Sequence, residues 1–373
     1  MVMLIDDLRF RLSTFSEREN ADPEVYPAMD IAELFSIGMM SAPFPKYLGG
    51  GGLSCEECVS LIIELAAAAP STALIACMPM GLAAGATAAT TAAPPDHRAK
   101  AQDLLERVVA DFSKQRLYAA CNSERSAGGA LSVMNTVARR DASGQFRITG
   151  EKILASGGKH AATFFSGASV GQTDLPGAAA VEFFLIDASS PGVHVQSDWN
   201  GLGMRSSESH TVLYEDAPAR EILGYPMLLE IAQPWAFSFC LFTAIPLGCA
   251  RGILQEMSTP VPTSPAVRLR LVEAQMRYEA ARAYLLETAR GWEPGSSEAW
   301  RSRVVRTKSY VAQEMTRLCG ELFALSGGRH YRRSSRVARL MEASYAGTAL
   351  RPPLPLALDV MVAGLAPLGP TDI

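Results

Sequence analysis

The sequence has no excess of charge of either sign. Charged residues make up 19% of 373, the formal net charge is −4, and Lys and Arg are scattered among Asp and Glu. With no basic stripe, nucleic acid is not an expected partner, and an anionic ligand would need a local cluster. Metal-binding patterns are missing too. The five histidines at 97, 160, 194, 210 and 330 form no close pair. Of the seven cysteines only Cys55 and Cys58 are close, and no second pair exists at the spacing a zinc site needs. They are expected as reduced thiols on a helix. The longest apolar stretch, Leu61 to Ala93, carries Glu64, Pro70 and Pro79, is built largely from Ala, Thr and Gly, and reads as buried helices and not as a membrane span. The first residues, Met-Val-Met-Leu-Ile-Asp-Asp, meet acid at once, so no secretory leader and a cytoplasmic location are expected.

What is present is a change of period along the chain. A length of 373 residues suggests two or three packed units. The first third lacks strand alternation. Apolar residues from Ile31 to Met39 fall at helical spacing, and the loop Tyr47-Leu-Gly-Gly-Gly-Gly-Leu-Ser54 follows. Ser54 with Glu57 three residues on predicts a capping box opening a helix through Leu65. Another amphipathic helix is expected over Ala99–Phe112. From Leu117 the period becomes two, with strands expected around Val137, Phe146–Ile148, Ala180–Ile186, Val193–Val195 and His210–Glu215. From Gly224 helices return. Pro234–Gly252 is almost wholly apolar, and two faces follow, Val267/Leu271/Ala274/Tyr278/Ala281/Leu285 and Val304/Val311/Met315/Leu318/Leu322. The expected fold class is α+β in three parts: a helical domain over 1–116, a β barrel or sandwich over 117–222, and a four-helix bundle over 223–373.

Five local motifs lie in order on this frame. They are the Tyr47–Ser54 loop, Ser123-Glu-Arg-Ser-Ala-Gly-Gly129, Thr149-Gly-Glu-Lys-Ile-Leu-Ala-Ser-Gly157, Trp199-Asn-Gly-Leu-Gly-Met-Arg-Ser-Ser-Glu-Ser209, and the turn Gly327-Gly328. Together they resemble the acyl-CoA dehydrogenase superfamily, including its flavin-dependent monooxygenases. The tryptophan motif is the most specific of the five. The resemblance implies an FAD-dependent oxidoreductase acting on a small-molecule or thioester substrate, as a homodimer or homotetramer. It implies Ser123, Ser126, Gly128, Leu154, Ala155 and Ser156 at the flavin, and Gly327 and Gly328 against the adenine of a neighbouring subunit's FAD. A flavin reductase or an electron-transfer flavoprotein is the implied redox partner.

Departures from the pattern carry as much information. Leu154 replaces the family's tryptophan over the flavin. The arginine motif expected soon after Gly252 is absent, and Ser258–Pro265 stands in its place. Acyl-CoA dehydrogenation removes an α proton and needs a positioned carboxylate. The family's spacing from Arg339 leads to Arg351, and the look-alike Tyr345-Ala-Gly-Thr348 has Ala346 where glutamate is expected. The alternative site, one helix before Ile245-Pro-Leu-Gly248, falls at Ser238, and no acid lies between Gln233 and Gly252. Three readings follow: oxygen-using chemistry that needs no such base, favoured here; a dehydrogenase with a relocated base at Glu124, Glu208 or Glu342; or a non-catalytic scaffold. The run Ser156-Gly-Gly-Lys-His160-Ala resembles a monooxygenase strand motif, so the candidate catalytic residues are Arg351, His160 and Glu124. The pocket is expected between Met78–Leu82, the strand loops, and segments 234–252 and 339–355, with Phe237, Phe239 and Phe242 as candidate lining.

Overall fold

The computed structural model of the chain describes residues 2–125 and 134–364. Five helices precede any strand: α1 (Val2–Ala21), α2 (Ala28–Ser36), α3 (Cys55–Ala68), α4 (Pro70–Ala92) and α5 (Arg98–Ser113). The capping box forms as the sequence requires. Ser54 Oγ accepts from the Glu57 amide, and the Ser54 amide donates to the Glu57 carboxylate at 2.8 Å, which satisfies two of the donors a helix start leaves open. Helix α1 was not legible from periodicity. Its core-facing stripe, Leu8 and Phe15 with Leu12 partly buried, is narrow, and charged residues fill the other faces.

Among the described residues eight strands follow: β1 (Tyr118–Ala120), β2 (Val137–Arg140), β3 (Phe146–Ala155), β4 (Thr163–Val170), β5 (Val181–Asp187), β6 (Val193–Val195), β7 (His210–Pro218) and β8 (Glu221–Ile222). They build one mixed sheet in the order β6-β7-β3-β2-β4-β5-β8. Both β1 and β2 run parallel to β4 and share one of its edges, β1 against Thr163–Phe165 and β2 against Ser169–Val170. Just after β1, a lone antiparallel bridge joins Ser123 to Ile153 of β3. Ser123 is thus held at a break in the sheet.

The third part contains α6 (Leu228–Ala232), α7 (Trp235–Ser258), α8 (Pro265–Arg290), α9 (Glu298–Leu325), α10 (Arg336–Ser344), α11 (Ala346–Ala349) and α12 (Leu354–Ala363). Helices α4 and α7 are long and apolar enough to span a membrane, but 94% and 89% of their apolar windows are buried inside this protein. They are core helices. A Cβ on Gly248 of α7 would lie 2.7 Å from the Ile63 carbonyl of α3, so glycine lets the two backbones touch. One hydrophobic core joins the first and third helical parts and one side of the sheet; a second, with Ile148, Phe164, Phe184 and Val212, fills the other side. All seven cysteines are free and buried.

Candidate functional site

A cavity of about 160 Å³ opens where the sheet meets α4, α7 and the segment Ala346–Arg351. Its walls are apolar, with Leu74 and Met78 from α4, Phe165 from β4, and Trp235, Phe239 and Phe242 from α7. Phe237, expected in this lining, instead packs edge-on against Trp292, with ring centroids 5.0 Å apart. It lies on another face of α7. Cys77 also lines the cavity, and burial raises its thiol far above the range where a thiolate forms.

Ser123, Leu154 and Ser156 all reach this cavity. Leu154, next to last in β3, has a left-handed φ of +61° and is 48% exposed. An apolar side chain in that strained conformation is an outlier that favours a functional reading over a packing one. Ser156 Oγ lies 2.8 Å from Ser209 Oγ, which lies 2.7 Å from Ser207 Oγ, all three buried. Ser123 Oγ accepts from Arg351 Nε at 3.4 Å, which leaves its own proton to donate. An apolar shelf flanked by two hydroxyls suits a flat aromatic ring system with a polar edge. These residues therefore fit a flavin. Ala155 is fully buried and pairs with His210 across the sheet. Ser126 and Gly128 lie outside the described residues.

Glu124 turns away from the cavity. Its carboxylate takes the buried Lys152 ammonium at 2.6 Å and the amides of Asn135 at 2.7 Å and Thr136 at 3.0 Å. Burial alone would raise this acid, but the Lys152 ammonium and the two amides hold it down to about 2. Burial in turn lowers Lys152. A carboxylate so held is a poor proton acceptor at neutral pH.

The loop Trp199–Ser209 is shaped by a residue that no local pattern pointed to. His210 Nδ1 accepts from the amides of Asp198 and Trp199 at 3.1 and 2.9 Å, so its proton sits on Nε2 and the ring is neutral. Trp199 Nε1 donates to the Arg205 carbonyl at 3.0 Å and closes the loop. Gly203 meets α10 so closely that a Cβ would lie 2.6 Å from the Glu342 carbonyl carbon. Arg205 then pairs with Glu342 at 3.1 Å, tying sheet to helix. Glu208 accepts from His160 at 3.1 Å, and His160 stacks on Tyr26 with centroids 3.6 Å apart. Neither His160 nor Glu208 nor Glu342 lines the cavity.

The opposite wall carries Ser238, Ala346 and Arg351, the three positions where the sequence reading looked for a base. Arg351 donates to the Asn122 carbonyl at 2.6 Å. Burial lowers its guanidinium to about 10, with Glu124 opposing. Beneath it, Lys308 of α9 donates 2.7 Å bonds to the carbonyls of Leu350 and Pro352, on either side of Arg351. Sequence reasoning missed Lys308 and Trp235, because each meets the site through tertiary packing alone. Among the described residues lining the cavity there is no carboxylate and no imidazole. Gly327 and Gly328 lie away from it, at the end of α9, with open space beside both.

Two family models match the chain: acyl-CoA dehydrogenase, middle domain, over residues 119–217, and acyl-CoA dehydrogenase, C-terminal domain, over residues 240–342. The Bacillus subtilis protein named Probable acyl-CoA dehydrogenase YngJ is 22% identical over 337 residues, 85% of this chain and 84% of that protein. L-evernosamine nitrososynthase of Micromonospora is 28% identical over 196 residues, 52% of this chain and 44% of that protein. The structure of KijD3 with FMN and dTDP-3-amino-2,3,6-trideoxy-4-keto-3-methyl-D-glucose superposes with a TM-score of 0.81 at 20% identity, covering 97% of this chain and 93% of that one.

Proposed function

The chain belongs to the acyl-CoA dehydrogenase superfamily, and from that premise we propose that it is a flavin-dependent oxidoreductase that works without a carboxylate base and delivers oxygen from O₂ to a small or carrier-linked substrate. One observation carries the reading: the cavity lining is apolar apart from small polar groups and Arg351, and its described residues include no carboxylate and no imidazole. Removal of an α proton requires such a group within hydrogen-bond reach, and losing it costs about 10²- to 10⁴-fold in rate. The two positions where the family resemblance puts that base carry Ser238 and Arg351.

A bound flavin supplies two-electron chemistry and, when reduced, reactivity toward dioxygen. The chain's own residues contribute orientation and dryness. Ser123 and Ser156 offer hydroxyls at the edge of the Leu154 shelf, and Met78, Phe165, Phe239 and Phe242 keep water from the reacting atoms. A nitrososynthase among the relatives, and KijD3 with its FMN and amino-sugar nucleotide, support chemistry other than acyl-CoA dehydrogenation on this scaffold. Reducing equivalents come from a separate reductase in this account.

We take the flavin to be FAD, lying across a subunit interface near Gly327 and Gly328. On α8, Leu269, Val272 and Met276 form an exposed apolar stripe at helical spacing, 59%, 57% and 64% accessible in a single chain, which a second copy would cover. Light scattering should give a homodimer or homotetramer, and mass analysis of the extracted flavin should give FAD; a monomer holding FMN would overturn this arrangement. The chemistry is tested by supplying chemically reduced flavin and ¹⁸O₂ to the protein with candidate small acids and thioesters. Label in the product supports the reading, and flavin-linked turnover without label contradicts it.

A further inference from the structure

Resting on the reading of the cavity as the substrate pocket, we propose that Arg351 sets substrate specificity by taking a carboxylate, so that the substrate class is a compact, mostly apolar acid. Two observations carry this. The first is charge asymmetry. Arg351 is the one charged side chain among the described residues lining the cavity, and the nearby carboxylate of Glu124 is engaged by Lys152 and two backbone amides. A guanidinium facing apolar walls favours an anion there, because low polarity strengthens the attraction.

The second is how Arg351 is held. Lys308, 1% exposed, bonds the carbonyls of Leu350 and Pro352, which fixes the backbone on both sides of Arg351. The Asn122 carbonyl and the Ser123 hydroxyl orient the guanidinium further. Positioning of this kind is what a recognition residue requires.

The pocket measures about 160 Å³ and its remaining walls are mostly apolar, so the acid it takes is compact and mostly apolar itself. A thioester carbonyl accepts hydrogen bonds but brings no charge, and so gains less from a guanidinium in such surroundings.

Trp199 and Trp235 both line the cavity, so intrinsic fluorescence reports occupancy without turnover. The experiment titrates flavin-loaded protein, Arg351→Met and Arg351→Lys with benzoate and with its neutral isostere benzamide. A charge-assisted bond predicts that wild type prefers benzoate by about 10- to 100-fold. Arg351→Met should abolish that preference while leaving benzamide affinity within about threefold, and Arg351→Lys should keep part of it. Equal affinity for the two ligands in wild type, absence of binding by either, or an undiminished preference in Arg351→Met would overturn the assignment. Circular dichroism checks that both variants fold, and Arg351→Lys keeps the test decisive if Arg351→Met does not. Repeating the titration on flavin-free protein separates this result from the flavin reading, since a benzoate preference there stands whether or not flavin binds.

Discussion

Lys308 and Pro352 are joined beneath the cavity wall by a 2.7 Å bond from the lysine ammonium to the proline carbonyl, and the same ammonium holds Leu350 at 2.7 Å. Burial pushes the Lys308 ammonium from its usual 10.5 down to about 7. Between those values the unfolded chain keeps a proton that the folded chain has released. This lysine therefore makes stability rise as pH goes from about 7 to about 10.5, and adds no slope below that window. Urea midpoints measured from pH 7 to 10 should rise more steeply in wild type than in Lys308→Met. Equal slopes in the two proteins would refute the burial argument.

The Glu124–Lys152 pair predicts a stability defect. Glu124→Gln leaves a buried ammonium without its counter-charge and should cost about 3–5 kcal/mol. With the Glu124 carboxyl held down from 4.5 to about 2, its stabilisation is complete above pH 4.5 and is lost as pH falls toward about 2. Glu124→Gln should therefore remove a stretch of acid sensitivity along with the stability. If it abolishes turnover at unchanged stability, Glu124 is the relocated base and the oxygen reading fails.

Gly203 predicts a packing defect that reaches the cavity. A methyl group there would meet the α10 backbone at 2.6 Å, and backbone cannot swing aside as a side chain can. Gly203→Ala should cost about 1–3 kcal/mol through overpacking. Trp199 sits on the same loop, so its fluorescence should shift in the folded variant. An unshifted spectrum at wild-type stability would contradict the close approach.

Local chemistry was legible in the sequence and long-range pairing was not. Ser54 with Glu57 declared a helix start because a capping box is closed within four residues. The three-part order was visible because helical and strand periods differ. Ser123 and Ser156 could be named from their motifs, and both reach one cavity. Lys308 gave no signal, because its partners are 42 and 44 residues away, and the Glu124–Lys152 pair spans 28. His210 looked like a strand residue, and only the fold turns its ring toward the Trp199 loop. The cavity was anticipated in outline, with Phe239 and Phe242 in its lining and Ser238 at its wall, but the turn of α7 that takes Phe237 away to Trp292 was not.

The central claim is that no base stands ready for α-proton removal, and anaerobic mixing tests it directly. Flavin-loaded protein is mixed without oxygen with saturated acyl-CoAs of several chain lengths while flavin absorbance is followed. The account predicts that the flavin stays oxidised on the timescale of turnover, because the missing base costs about 10²- to 10⁴-fold. Rapid bleaching by a saturated acyl-CoA would contradict it and establish a dehydrogenase with its base elsewhere.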